Sequence, residues 1–356
     1  MEISPWMGDA TEAAPPLTGD VEADVAVVGA GFTGLSAALA LRAEGLSTVI
    51  VEREVAGFGA SGRNAGHLTP TIGKDLPTLA RFFGRERARA LVALVQTAIA
   101  HVEETIARHG IDCAYEPVGN VMAAVHPHQH AMLDRAARAG AELGLDGELL
   151  APAAMRRRGL PRAFTRGYLL RRGGILHPGR YVRGLRRAAL AAGAVLHERT
   201  PVVRVEDGEP AVVHTPKGRV RARAVVLATN AYTPELGWLG GTIARLHVYL
   251  FATAPLAAAQ KAAVGRTGAR GNIYYSAGYA GHGIPLASYA GTMLADLVLG
   301  RDGPGRALWS RRRIPLPPEP LRWLVVHGIT TVLGAIDRRV DRAARARPPD
   351  EHQGAF

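Results

Sequence analysis

The chain has 356 residues, 47% of them apolar, with a formal charge of +12 and a single cysteine. That length exceeds what one hydrophobic core usually supports, so two packed units are expected; the lone Cys113 excludes an intramolecular disulfide framework and a cysteine-ligated zinc site. The surplus arginine is scattered through Ala- and Gly-rich stretches such as RAARAG (135–140), with no nucleic-acid motif or basic-aromatic interleaving, so nucleic acid is not an expected partner.

No run of eighteen uncharged apolar residues offers a membrane span, and MEISPWMGDATEAAPPL lacks the basic start and apolar stretch of a signal peptide. A cytoplasmic location is the expectation. DVAVVG (24–29) is a β-branched apolar run of strand length, and GLSAALALRAE (34–44) has helical spacing, with Leu35, Ala38 and Leu39 on one side. Between them stands Gly29-Ala-Gly31-Phe-Thr-Gly34. The first glycine permits a tight turn, the second lets the backbone approach a pyrophosphate, and the third lets helix and strand pack closely. The phosphates then meet free N–H groups at a helix N-terminus. A second strand, STVIVE, ends at Glu52, the spacing at which an acid accepts hydrogen bonds from a ribose. Such an acid repels a 2′-phosphate, although Arg53 follows it directly.

This fingerprint serves FAD and NAD alike, so the later segments have to decide between them. GASGRNAGH (59–67) has small residues, a hydroxyl, a guanidinium and an amide suited to an extended cofactor, or to a surface turn. Helices are expected around Arg85 to Arg108 and His130 to Leu143, and strands within CAYEPVGNVMAAV (113–125) and RGYLLRRGGILHP (166–178). HPHQH (126–130) lacks a cysteine or acid at ligand spacing, so it reads as a solvated helix start and no metal site is expected. From His177 the pattern gives a helix over 179–192, strands at 194–197 and 202–205, the hairpin AVVHTPKGRVRA (211–222), then a separate buried strand in ARAVVLATNAY (222–232). Residues 271–300 read as strand, glycine loop and a helix opening near Ile284, whose N-terminus suits the negative charge of a reduced flavin. In the C-terminal segment, Leu321 to Ile336 is apolar but interrupted by Arg322 and His327. It reads as a docking helix, with peripheral membrane contact the lesser reading.

Taken in order, these segments resemble the D-amino-acid-oxidase-like flavoproteins, in the branch with glycine, sarcosine and γ-glutamylputrescine oxidases. DVAVVGAGFTGLSAALALRAEGLSTVIVERE, GASGRNAGH, GGILHPGRYVRGLRRAALAAG, ARAVVLATNAYTP and AGYAGHGI carry the resemblance over roughly residues 20–300. It implies an α/β fold with a discontinuous Rossmann-like FAD-binding domain (20–75, 176–235 and 265–300) and a reduced α+β substrate domain (76–175 and 236–264), followed by a helical, basic tail (301–356). By the same resemblance Gly29, Gly31 and Gly34, with Phe32 and Thr33 between them, hold the pyrophosphate of a non-covalent FAD, and Glu52 with Arg53 beside it meets the ribose. Ser61, Arg63, Asn64 and Gly66 run along the pyrophosphate and flavin, Val203 meets adenine through its backbone, and Thr229 sits in the turn after the last dinucleotide strand. Gly278, Gly281, His282, Gly283 and Ile284 edge the isoalloxazine. No catalytic residue stands out; His67, Tyr279 and His282 are the candidates.

The implied activity is oxidation of a C–N bond in a small amine or amino acid to an imine that hydrolyses, with dioxygen reduced to hydrogen peroxide. One departure stands against it. Only AAAQKAA (257–263) separates FATAPL from VGRTGARGNIYYSAGYAGHG, where relatives carry further substrate-domain strands. A catalytically impaired FAD-binding or partner-binding remnant is therefore an alternative. A nicotinamide-dependent dehydrogenase is the other, and the flavin-edge helix argues against it. Substrate, electron acceptor and oligomeric state are not fixed by these residues.

Overall fold

The computed structural model describes residues 12–73 and 75–238, together with residues 4, 6–8, 292, 295, 296, 299 and 301. In chain order its elements are β1 (Val21–Val28), α1 (Phe32–Ala43), β2 (Thr48–Val51), β3 (His67–Leu68), α2 (Leu76–Phe83), α3 (Arg85–Arg108), β4 (Asn120–Ala124), α4 (His130–Glu142), β5 (Gly147–Leu150), α5 (Pro152–Arg157), β6 (Arg166–Leu170), β7 (Gly174–Ile175), α6 (Pro178–Ala191), β8 (Val195–His197), β9 (Arg204–Glu206), β10 (Ala211–Thr215) and β11 (Gly218–Leu227).

Six strands form the main sheet in the order β8-β2-β1-β11-β10-β9. β8, β2, β1 and β11 run parallel, and β10 and β9 complete the sheet antiparallel. Val25 to Val28 of β1 are all buried, as a central parallel strand covered on both faces requires. One face packs on α1 and α6 through Leu35, Leu41, Tyr181 and Leu185; the other buries Ala26, Val28, Val49, Val51 and Val213 with Leu17. β1 starts at Val21, earlier than its apolar run, because Val21 and Ala23 pair in register with Val220 and Ala222 of β11. The exposed side of that pairing carries opposite charges, with Glu22 beside Arg221 and Arg219 bonded to Asp20 at 2.6 Å.

The expected hairpin and buried strand are not separate. β11 runs unbroken from Gly218 to Leu227: its first half alternates, exposing Arg219, Arg221 and Arg223, and its second half is largely covered as it enters the sheet's centre. A change of period that reads as two strands is one strand passing from solvent into the core.

The second unit is an antiparallel sheet, β4-β6-β5, packed on α2, α3 and α4 around Leu79, Leu91, Val92, Leu133 and Tyr168. α3 joins the two units. Ala88, Leu91 and Val92 belong to this second core, while Val95, Ile99 and Val102 belong to the first. α3 is the one described helix long and apolar enough to cross a membrane by length and composition, and these core positions account for its apolar face. HPHQH does start a helix: His126 Nδ1 accepts from the His128 amide at 3.3 Å, and Gln129 Oε1 accepts from the Val125 amide at 2.9 Å, just before α4.

The expected flavin-edge residues Gly278, Tyr279, Gly281, His282, Gly283 and Ile284 lie outside the described residues. So do the shortened stretch at 257–263 and the apolar segment 321–336.

Candidate functional site

β1 ends in a turn at the centre of the parallel sheet, where a strand-order reversal opens a crevice in doubly wound folds. Gly29 has φ +102°, a conformation that disfavours side chains, and a Cβ there would lie 2.9 Å from the Ala228 carbonyl oxygen. Its amide donates to Val51 O at 2.8 Å, which ties the loop to the end of β2. Gly34 sits so close to Gly29 that any Cβ would overlap the Gly29 carbonyl oxygen. The third glycine therefore serves packing, as the fingerprint requires.

α1 begins at Gly31 with no side-chain cap. The Ala30 amide donates to Glu52 Oε2 at 2.8 Å and the Phe32 amide to Ser61 Oγ at 2.9 Å. The amides of Gly31, Thr33 and Gly34 donate to nothing among the described residues. Three N–H groups without a described acceptor at an uncapped helix N-terminus form the arrangement that takes an anion. The Phe32 side chain is buried and tilts against Tyr181 at 5.3 Å, so this residue contributes its backbone to the loop and its ring to the core.

Glu52 ends β2 with both oxygens accepting from backbone, Oε2 from Ala30 and Oε1 from Glu54 at 3.0 Å. Burial pushes its pKa above the usual carboxylate range, against the pull of those two amides. Each oxygen keeps a lone pair for a ribose hydroxyl. Arg53 turns aside: its guanidinium lies 4.9 Å over the Tyr232 ring and within 3.9 Å of Glu235.

The loop at 59–66 is sewn down by its own residues. Asn64 Nδ2 donates to Ala60 O and Ser61 O, and its Oδ1 accepts from the Gly66 amide at 2.9 Å. Gly66, at φ +78°, exchanges backbone contact with Leu176 so closely that a side chain would overlap the Leu176 carbonyl. Arg63 stacks over Phe58 at 4.3 Å. Only Ser61 reaches the α1 turn, where its Oγ lies 2.8 Å from the position of a Gly31 Cβ. Thr229 comes beside Gly29 from the end of β11 and bonds Thr233 at 2.9 Å. Val203 is 60% exposed, with its amide donating to His214 O at 2.9 Å. His67, on β3 against Ile175, is half-buried; burial lowers its pKa, so the ring is neutral at pH 7.

Sequence reasoning missed a buried ion pair behind this site. Glu198, 2% exposed, accepts from Arg186 at 3.2 and 3.3 Å, from the Ala56 amide at 2.7 Å and from the Ala14 amide at 2.5 Å. It also missed the N-terminal strap, in which Ser4 Oγ donates to Gly62 O and Arg183 donates to Trp6 O. No spacing in the sequence signals either one.

A model of the DAO family, described as FAD dependent oxidoreductase, matches residues 24–266. The chain belongs to this family. FAD, rather than a nicotinamide, is accordingly the family's cofactor. Gamma-glutamylputrescine oxidoreductase of Escherichia coli K12 is 36% identical over 217 residues, covering 61% of this chain and 51% of that protein. A probable oxidoreductase OrdL of Haemophilus influenzae is 30% identical over 252 residues, covering 69% of this chain and 58% of that protein. The chain thus spans about half the length of these curated relatives. The crystal structure of glycine oxidase from Geobacillus kaustophilus superposes with a TM-score of 0.61 at 21% identity, covering 79% of this chain and 96% of that one, which shows a shared fold.

Proposed function

We propose that this member of the FAD-dependent oxidoreductase family holds FAD non-covalently along the crevice at the end of β1 and oxidises a small amine or amino acid. The observation that carries the reading is the uncapped start of α1: three free amides face a glycine opening, with a buried carboxylate on one side and a serine hydroxyl on the other. That set fits a diphosphate joined to a ribose. In this reading the amides of Gly31, Thr33 and Gly34 bind the diphosphate, Glu52 accepts from the ribose hydroxyls, and Ser61 stands beside the diphosphate.

Bound FAD would supply a two-electron oxidation, so that amine, dioxygen and water become carbonyl, ammonia or a smaller amine, and hydrogen peroxide. The protein's part is orientation, exclusion of water and custody of the amine proton. His67, whose neutral form burial favours, is the described candidate to hold that proton. We extend the proposal to the domain partition, in which residues 265–300 belong to the dinucleotide domain: the described Ala295 is buried in the same core as α1 and α6. A cytoplasmic location, supported by the single buried thiol of Cys113, belongs to the same reading.

Purified protein is expected to show flavin absorbance that anaerobic amine or amino acid bleaches. The alternative of a binding remnant rests on the short AAAQKAA stretch at 257–263, where the sequence leaves little room for further substrate-domain strands. A yellow protein that no amine bleaches would establish the remnant; a folded, colourless one that refuses added FAD would end both readings.

Glu52 makes flavin affinity pH-dependent. A ribose needs both carboxylate oxygens as acceptors, so binding favours the ionised form, whereas burial in the free chain favours the protonated one. Affinity is therefore expected to rise with pH up to Glu52's raised pKa, by up to about tenfold per pH unit, and to be flat above it. Fluorescence titration of FAD at stepped pH measures this, and Glu52→Gln should abolish the dependence. An affinity unchanged on acidification removes Glu52 from the site.

A further inference from the structure

We propose that the elbow between α2 and α3 is a docking surface for an anionic lipid membrane. α2 is an amphipathic helix whose buried side is Leu76 and Leu79. Continuing the same stripe by three and four residues gives Phe82 and Phe83, which are not buried with it. Phe82 is 74% exposed and Phe83 46% exposed. Two adjacent exposed aromatic rings at the end of a helix are unlike the single apolar residues scattered over ordinary surfaces.

The charge around the rings selects the partner. Arg81, Arg85, Arg87 and Arg89 are all exposed within the same short stretch. Arg85 pairs with Glu142 at 3.4 Å, and Arg89 donates to the Glu142 carbonyl at 3.0 Å; Glu86 is the other acid nearby. Arg81 and Arg87 have no carboxylate partner among the described residues, and Arg87 lies 5.4 Å over the Phe83 ring. Phenylalanine at acyl depth with arginines at phosphate level is the composition of an interfacial anchor. A protruding pair of rings suits a deformable surface, whereas a rigid acidic protein would have to present a matching socket.

The test is cosedimentation of the full chain with phosphatidylcholine vesicles prepared with and without phosphatidylglycerol. Binding is expected to be at least about tenfold tighter to the anionic vesicles and to weaken with added salt. It should be lost in Phe82→Ser with Phe83→Ser, and separately in Arg81→Glu with Arg87→Glu, each with an unchanged thermal melt because all four side chains are exposed. Equal binding to both vesicle types, or parent-like binding by the folded variants, overturns the proposal. So does a parent that ignores vesicles but self-associates, by light scattering, through Phe82 and Phe83. None of these readings depends on flavin, so they stand apart from the test of the proposed oxidation.

Discussion

Gly31→Val is expected to give a folded protein that no longer retains FAD. The Gly31 backbone, at φ −85° and ψ −171°, is open to any residue, so valine imposes no conformational strain. Its Cβ would lie 2.8 Å from Ser61 Oγ and nothing of the backbone stands within 4 Å. Displacing one serine side chain is a small structural change. Its functional effect is large, because that hydroxyl holds the Phe32 amide and because the valine methyls would occupy the space in front of the free amides of Gly31, Thr33 and Gly34. FAD affinity should fall by on the order of 100-fold, about 2.8 kcal/mol. The measurement is the flavin absorbance of purified protein alongside its circular dichroism melt. Gly34→Ala is the contrasting case: its Cβ would overlap the Gly29 carbonyl, so backbone must move and stability should fall together with the flavin. A yellow Gly31→Val protein with parent affinity would remove the diphosphate from this turn.

How much of this was readable in advance depended on whether the cause was local. Strand, glycine turn, helix and Glu52 follow from neighbours in the chain, and the structure places them together as their chemistry demands. The capping of α6 by His177, whose Nδ1 accepts from the Arg180 amide at 3.2 Å, is local in the same way and agrees with the helix read from that histidine. What was not readable came from distant partners. β1 begins at Val21 because β11 pairs with it, and β11 is separated from it by nearly the whole second unit. Leu17 is buried, with its amide on Thr200 Oγ1 at 3.0 Å, in a proline-bearing stretch that has no apolar period to announce it. Within the 59–67 loop the sequence shows residues fit for a cofactor but not which of them the loop needs for itself. The structure assigns Asn64 to the loop's own hydrogen bonds and leaves Ser61 facing the α1 turn.

Glu198→Ala is expected to destabilise the protein by about 3–5 kcal/mol, since it leaves a buried guanidinium without its counter-charge. Arg186 is 11% exposed at its side chain, and its remaining described acceptor is the Glu12 carbonyl at 3.0 Å. The substitution also orphans the amides of Ala14 and Ala56, and so loosens both the N-terminal strap and the segment after Glu52. The thermal midpoint should drop by roughly 5–15 °C. Glu198→Ala combined with Arg186→Met separates the two causes. If the stranded charge dominates, the methionine removes it and the double variant recovers most of the loss. If the amides dominate, the double variant stays as unstable as the single one. Recovery is expected to be substantial but incomplete, because Ala56 is followed by Gly57, whose amide donates to Ala30 O at 2.9 Å. Through that link a slack segment reaches the glycine turn itself, so FAD affinity should remain weaker in the double variant after its melting temperature has largely returned. Full recovery of both would show that Glu198 acts on the fold alone and not on the turn that Ala30 belongs to.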